Sequence, residues 1–257
     1  MNIDIDAGII TDALKFAACS KTATSKPLIP SIQLSIDDKK LYISGMEPSG
    51  MLQSAIVIKR ENINLVSGEN LKIGTDVERI LKVLNSLNGN VNISFDGEKI
   101  QITGDGKYYS ENLPTDITEP VIETRFRDGV VPLPVLLIDD DGETKELTFD
   151  AVLKINNKPK IPVSFSVESI SIVIEDNKAF VSVSDEISEY KDVITNEVKW
   201  NTDNNKLDIT LNNNILKTVF SLLESDTVMF VHSRCVYVLI NTDWGYVGYI
   251  MPAWGSV

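Results

Sequence analysis

The sequence predicts an α+β protein built from two copies of one strand-rich domain, and three observations carry that prediction. Residues 79–87 read RILKVLNSL and residues 214–222 read NILKTVFSL, which aligns Lys82 with Lys217 at an offset of 217 − 82 = 135. Upstream of each, residues 35–45 (SIDDKKLYISG) match residues 173–183 (VIEDNKAFVSV) at an offset of 173 − 35 = 138. Two matches in the same order and at nearly the same offset mark an internal duplication. The third observation is that stretches of period two outnumber stretches of period 3.6, so sheets dominate and helices are few.

Each element follows from its period and punctuation. A short strand over residues 2–6 leads into a helix ending at about residue 19, with Ile10, Leu14 and Ala17 as its apolar stripe and Thr11 and Lys15 turned away. Ile32, Leu34 and Ile36 alternate up to the polar turn Asp37-Asp38-Lys39-Lys40, then Leu41 and Ile43 resume, which is a β-hairpin. The second half repeats it with Ile170, Ile172 and Ile174, the turn Glu175-Asp176-Asn177-Lys178, and Ala179, Val181 and Val183. At about 100° per residue, the first repeated helix turns Val77, Ile80, Leu81, Leu84 and Leu87 inward and Arg79, Lys82 and Ser86 outward. Its copy turns Ile215, Leu216, Val219, Leu222 and Leu223 inward and Asn214, Lys217 and Ser221 outward. Strands return after each helix: VNISF and KIQITG in the first half, TVMFV and CVYVLI in the second.

The opening helix has a less clear counterpart. Leu147, Phe149, Ala151, Leu153 and Ile155 alternate as a strand. Over residues 156–170 the duplication asks for a helix, whereas KPKIPVSFSVESI, with two prolines and a period nearer two, reads as strand. Both readings stay open at this stage. Between an N-terminal domain over 1–117 and a C-terminal domain over 147–257 lies a connector, 118–146, broken by Pro120, Pro132 and Pro134. Its later part, VLLIDDDGETKELTF, carries the Asp-Gly signal of an extra hairpin.

Composition limits the function classes. With 43% hydrophobic and 24% charged residues the chain is globular rather than disordered or fibrous. The N-terminus is acidic where a secretory signal would be basic, and no apolar run approaches the roughly 18 residues of a membrane span, so an intracellular protein without a membrane partner is expected. Cys19 and Cys235 form no CxxC and are expected to be buried thiols. No phosphate loop, HExxH or GxSxG is present. His232 is the only histidine and sits in a strand pattern, which makes it structural. Asp139-Asp140-Asp141-Gly142 is not a calcium loop, because counting Gly142 as position six puts Leu137 first and Thr148 twelfth. Asn92-Ile93-Ser94 is a glycosylation sequon with meaning only in a secreted protein. No enzyme activity, cofactor or metal is expected.

The net charge of −13, from 24 basic and 37 acidic residues, argues against nucleic acid at long range. A phosphate within a Debye length of about 8–10 Å responds instead to the charges that face it. Lys15, Arg79, Lys82 and Lys217 lie on mildly basic, largely uncharged-polar helix faces. Copies of such helices gathered inward by a ring would make loose, sequence-independent contacts with DNA phosphates.

GMEPSGM at residues 45–51, directly after the LYIS strand, is similar to the Met-Asp-Pro-Ser-type segment of sliding clamps of the proliferating cell nuclear antigen (PCNA) type. The opening helix DALKFAACSKT, the two helices RILKVLNSL and NILKTVF, and the ending YVGYIMPA resemble the same family in the same order. The resemblance implies a DNA-clamp fold: a closed homotrimeric ring of subunits with two similar domains, β-sheets outside and helices lining a channel for double-stranded DNA. It implies ring closure through the edge strands at residues 107–113 and about 189–198. It also implies a pocket for short hydrophobic peptides at Met46, Met51, Val131, Pro132, Leu133, Tyr249, Met251 and Pro252. The implied partners are a DNA polymerase, an ATP-driven clamp loader and other proteins with clamp-binding peptides, in cytoplasm, nucleoid or nucleus. The connector is longer than the family's, and the chain ends MPAWGSV where the family ends in a charged segment. A clamp relative serving checkpoint signalling or viral late transcription, or a β-rich structural protein with a duplicated domain, are the rival readings.

Overall fold

A computed structural model describes residues 2–22, 25–37, 40–67, 73–96, 98–112, 124–127, 131–134, 136–138, 144–146, 148–162, 167–185, 188–224 and 226–254. The chain forms two compact units. The first is Met1–Val121, Phe126–Pro132 and Thr242–Val247; the second is Ile122–Arg125, Leu133–Asn241 and Gly248–Val257.

The first unit contains β1 (Asn2–Asp6), α1 (Ala7–Ala17), β2 (Ser31–Asp37), β3 (Lys40–Met46), β4 (Gln53–Ile58), β5 (Ile63–Ser67) and β6 (Ile73–Asp76). It continues with α2 (Val77–Leu84), β7 (Asn90–Phe95), β8 (Lys99–Gly104) and β9 (Lys107–Asn112). One sheet has the order β5-β1-β7-β8-β9, and a second set of neighbours runs β4-β3-β2-β6. Both helices start where a carboxylate at the end of a strand meets free amides. Asp6 accepts from Gly8 N at 2.8 Å and Ile9 N at 3.2 Å, and Asp76 accepts from Glu78 N at 3.0 Å. Such caps contribute about 1 kcal/mol each. Ile3, Ile10, Leu14, Leu41, Ile80, Leu84, Ile93 and Ile100 are buried between the helices and the strands.

The connector supplies β10 (Thr124–Arg127), β11 (Val131–Pro134), β12 (Leu136–Ile138) and β13 (Thr144–Glu146), with β10 beside β11. Leu136, Leu137 and Ile138 lie opposite Glu146, Lys145 and Thr144 in an antiparallel pair. The Asp139–Asp141 run lies outside the described residues.

The second unit contains β14 (Ala151–Lys154), β15 (Ser169–Glu175), β16 (Lys178–Ser184), β17 (Glu189–Thr195), β18 (Val198–Trp200) and β19 (Lys206–Asn212). It ends with α3 (Asn213–Leu222), β20 (Thr227–His232), β21 (Cys235–Thr242) and β22 (Gly245–Pro252), although residues 242–247 belong to the first unit. Strand neighbours run β18-β14-β20-β21-β22 and β17-β16-β15-β19. These orders repeat those of the first unit strand for strand, with β14 in the place of β1 and β15-β16 in the place of β2-β3. The repeated hairpins keep their register: Leu34 lies opposite Ile43, and Ile172 opposite Val181. Helix α3 follows β19 as α2 follows β6, and Asn212 caps it by accepting from Ile215 N at 3.2 Å.

The structure departs from the sequence expectations in four places. Helix α1 ends at Ala17, and Cys19 beyond it takes a left-handed φ of 48°, which turns the chain. Thr11, expected to face away from the apolar stripe, is only 6% exposed, because α1 meets α2 on one side and β3 and β4 on another. On α3, Phe220 joins the core, whereas Leu222 is half-buried. Described residues 155–162 form neither helix nor strand, and 163–166 lie outside the described set. Pro159 and Pro162 deny that stretch the amides a helix needs. Its backbone is held instead by Asn157 N donating to Ile194 O at 3.1 Å and Lys160 N donating to Asp192 Oδ2 at 2.8 Å.

Within the first unit, Gly245 approaches the Val57 backbone so closely that an added Cβ would lie 1.9 Å from the Val57 carbonyl oxygen. Lys59 N and Asn62 Nδ2 both donate to the Trp244 carbonyl beside it, and Trp244 packs against Phe16 with ring centroids 6.1 Å apart. Gly245→Ala is therefore expected to destabilise the protein by about 1–3 kcal/mol through backbone displacement. A circular-dichroism melt coincident with that of the unsubstituted protein would show that the close approach is not required.

Candidate functional site

The repeated lysines stand where the apolar stripes leave them. Val77, Ile80, Leu81 and Leu84 anchor α2, so Arg79 and Lys82 project into solvent. Ile215, Leu216, Val219 and Phe220 anchor α3, leaving Asn214 and Ser221 exposed and Lys217 half-buried. Lys15 is half-buried on α1, which packs against α2, so the first unit brings Lys15, Arg79 and Lys82 onto neighbouring helices. Lys217 belongs to the second unit.

The electrostatics of these faces differ from the mildly basic expectation. Lys15 Nζ lies 2.9 Å from Asp12 Oδ1, and Lys82 Nζ lies 2.7 Å from Glu78 Oε1. Arg79 Nη1 lies 2.6 Å from Glu111 Oε1, with its Nε 3.7 Å from Asp76 Oδ2. The hydrogen bond and charge of Lys82 hold the Glu78 carboxyl below its ordinary range, and Glu111 raises the Arg79 guanidinium above its own. The cations of α1 and α2 are thus locally compensated, whereas Lys217 has no ion pair among the described residues. Exposed pairs of this kind are weak and exchangeable, so compensation lowers the local potential without withdrawing the donors. Asp12 and Glu78, three and four positions from their lysines, were legible as helix pairs. Glu111, 32 residues from Arg79 and on another element, was not.

The residues expected to line a peptide pocket separate by burial. Met46 closes β3 and is half-buried, and Met51 follows a turn in which Gly50 N donates to Glu47 O at 2.8 Å and Gly50 has φ 75°. Val131, Pro132 and Leu133 lie on β11. Tyr249 and Met251 are fully enclosed on β22, while Pro252 is half-buried at its end. Met46, Met51 and Pro252 are therefore reachable from solvent, whereas Tyr249 and Met251 are not.

Strands β9 and β17, expected to close a ring, each lie at one end of a sheet. β9 is the last strand of β5-β1-β7-β8-β9, and β17 the last of β17-β16-β15-β19. They carry two of the three large hydrophobic residues most exposed among those described: Tyr108, 65% exposed, and Val193, 39% exposed; the third is Trp254 in the tail. An unpaired edge bearing exposed apolar side chains is a template for another strand.

Among the described residues the thiols and the histidine are held in place by burial and turn contacts. Burial pushes the Cys19 and Cys235 thiols up to about 12, which keeps them protonated and unreactive. His232 Nδ1 accepts from Arg234 N at 3.1 Å, a turn contact. Among the described residues no cluster of His, Cys, Asp and Glu could hold a metal ion, and no helix is long and apolar enough to cross a membrane.

Two strand-for-strand copies of one unit, each with a helix carrying an outward lysine, define the duplicated clamp-type architecture. Among solved structures the chain is similar to PCNA from Thermococcus kodakaraensis, at 15% identity and TM-score 0.69 over 98% of this chain and 99% of that one. It is similar to a PCNA2–PCNA3 complex from Sulfolobus tokodaii, at 14% identity and TM-score 0.67 over 99% of each chain. It is similar to A. fulgidus PCNA bound to the C-terminal region of FEN-1, at 12% identity and TM-score 0.68 over 100% of this chain and 99% of that one. No family model and no curated protein sequence matches the chain. The fold is the PCNA-type clamp fold.

Proposed function

We propose that the protein is a DNA sliding clamp, a non-enzymatic ring of three identical subunits that encircles duplex DNA and tethers a DNA polymerase and other replication and repair enzymes. The observation that carries this reading is the likeness to PCNA clamps across almost the whole chain, joined to the repeated lysine-bearing helices. Domains over 1–117 and 147–257 form the two clamp halves, with 118–146 as their connector. Strands β9 and β17 close the ring between subunits. Lys15, Arg79, Lys82 and Lys217 touch phosphates loosely, which suits a protein that must hold DNA and still move along it. An ATP-driven loader opens the ring. The S. tokodaii structure is of a clamp complex and the A. fulgidus structure of a clamp with a bound C-terminal region, which supports assembly and peptide docking as the modes to test here.

The deciding experiment is topological. The protein, loaded onto closed circular DNA, should remain bound through gel filtration and be shed when the circle is cut. Equal loss from circular and linear DNA would remove the encircling reading, and co-purification as a mixed assembly would favour the checkpoint or late-transcription relative.

The partner pocket has its own test. Methionine repacks around varied side chains, so Met46 and Met51 suit a surface that accepts several peptides. A polymerase C-terminal peptide of the Gln-x-x-hydrophobic-x-x-aromatic-aromatic type should bind, with Met46, Met51, Val131, Pro132, Leu133 and Pro252 around it and Tyr249 and Met251 beneath. Met46→Asp should weaken that binding by about ten-fold or more, by setting an unpaired charge in an apolar contact. Unchanged affinity in titration calorimetry would dismiss the pocket.

A further inference from the structure

Arg79 is held differently from the other candidate DNA-facing cations. Lys15 and Lys82 pair with acids of their own helices, as many surface helices do. The partner of Arg79 is Glu111, from edge strand β9, and its side chain is 19% exposed against 66% for Arg79. The other carboxylate oxygen of Glu111 accepts from the Tyr109 hydroxyl. Burial, and after it the hydrogen bond to Glu111, pushes the Tyr109 phenol up to about 12, so it remains a proton donor at neutral pH. On the same side of β9, Lys107 Nζ donates to the Ser86 carbonyl at 2.6 Å, just beyond the end of α2. Residues 107 and 111 therefore fasten the edge strand to the helix near both of its ends, and Tyr109 holds Glu111 from within the strand.

A guanidinium engages carboxylate and phosphate with the same planar set of donors, so the two anions compete for it. We propose that Glu111 is a built-in anion that competes with DNA phosphates for Arg79, so that DNA contact at α2 exchanges a carboxylate of the edge strand for a phosphate. Tyr109 positions Glu111 for this exchange. The proposal rests on the reading of α2 as DNA-facing. Its consequence is that the fastening between α2 and β9 loosens at Arg79 when DNA is bound, while the Lys107 contact to Ser86 remains.

The test is duplex oligonucleotide binding by fluorescence anisotropy across a salt series, using the full chain. The variants are Glu111→Gln, Glu111→Ala, Arg79→Gln, Lys217→Gln and the double variant Arg79→Gln/Glu111→Gln, with melting curves to establish folding. Glu111→Gln and Glu111→Ala should each tighten binding by about two- to five-fold, and the tightening should vanish in the Arg79→Gln background. If Arg79→Gln and Lys217→Gln weaken binding but the Glu111 variants leave it unchanged, or tighten it equally without Arg79, competition is overturned and the DNA-facing reading stands. If none of the variants alters binding, the DNA-facing reading fails and the competition fails with it.

Discussion

Lys217→Glu is expected to produce the largest loss of DNA retention among the helix substitutions, roughly ten-fold at moderate salt. Lys217 is the candidate cation without an ion pair among the described residues, so reversing it removes charge that nothing nearby already offsets. In a homotrimer the change of two charges occurs three times around the channel. Removing one phosphate-binding cation per subunit should flatten the slope of log affinity against log salt by about 2.7, at about 0.9 per phosphate. Lys82→Glu should act in the same direction but less strongly, because Glu78 already offsets Lys82 at 2.7 Å. Folding should survive both, since substitutions on a solvated helix face usually change stability by no more than about 0.5 kcal/mol. Lys178, exposed at the start of β16, is the control. If Lys178→Glu reduces retention as far as Lys217→Glu does, the repeated lysine is only a solvated residue.

Tyr108→Asp is expected to convert the proposed trimer to single chains. Each chain is 28.5 kDa, so the mass by light scattering should fall from 3 × 28.5 = 85.5 kDa to 28.5 kDa. Tyr108 alternates with Tyr109 on β9 and is 65% exposed, on the side away from the contact that Glu111 makes with α2. An unpaired carboxylate trapped between two edge strands weakens each interface by about 2–5 kcal/mol. Val193→Asp on β17 should act equally if that strand is the opposite side of the same contact. A stable trimer with either substitution would exclude these edges as the ring closure, whereas a monomeric unsubstituted protein would remove the trimer itself.

How far the fold could be read depended on whether a residue's environment is set by its sequence neighbours. The hairpins were legible because Ile32, Leu34, Leu41 and Ile43 alternate around a polar turn, and period two has one physical solution when one face is buried. The stripes of α2 and α3 were legible for the corresponding reason at period 3.6. Thr11 was misread because an amphipathic pattern reports one buried face, whereas α1 packs on two sides. The stretch at 156–170 was ambiguous because the duplication asked for a helix and the local pattern for a strand, and its described residues 156–162 form neither, with Pro159 and Pro162 withholding two amides.

The candidate site divides along the same line. Duplication, the dominance of sheets and the matching places of Lys82 and Lys217 opposite the apolar stripes were all legible in the sequence. Periodicity and repetition are local properties, and burial of an apolar face enforces them wherever the chain goes. The engagement of Arg79 by Glu111 and the enclosure of Tyr249 and Met251 emerge in the folded chain alone. Each of these depends on elements distant in the chain meeting in space, and the strength of a charge or the reach of a side chain is set by what it meets there.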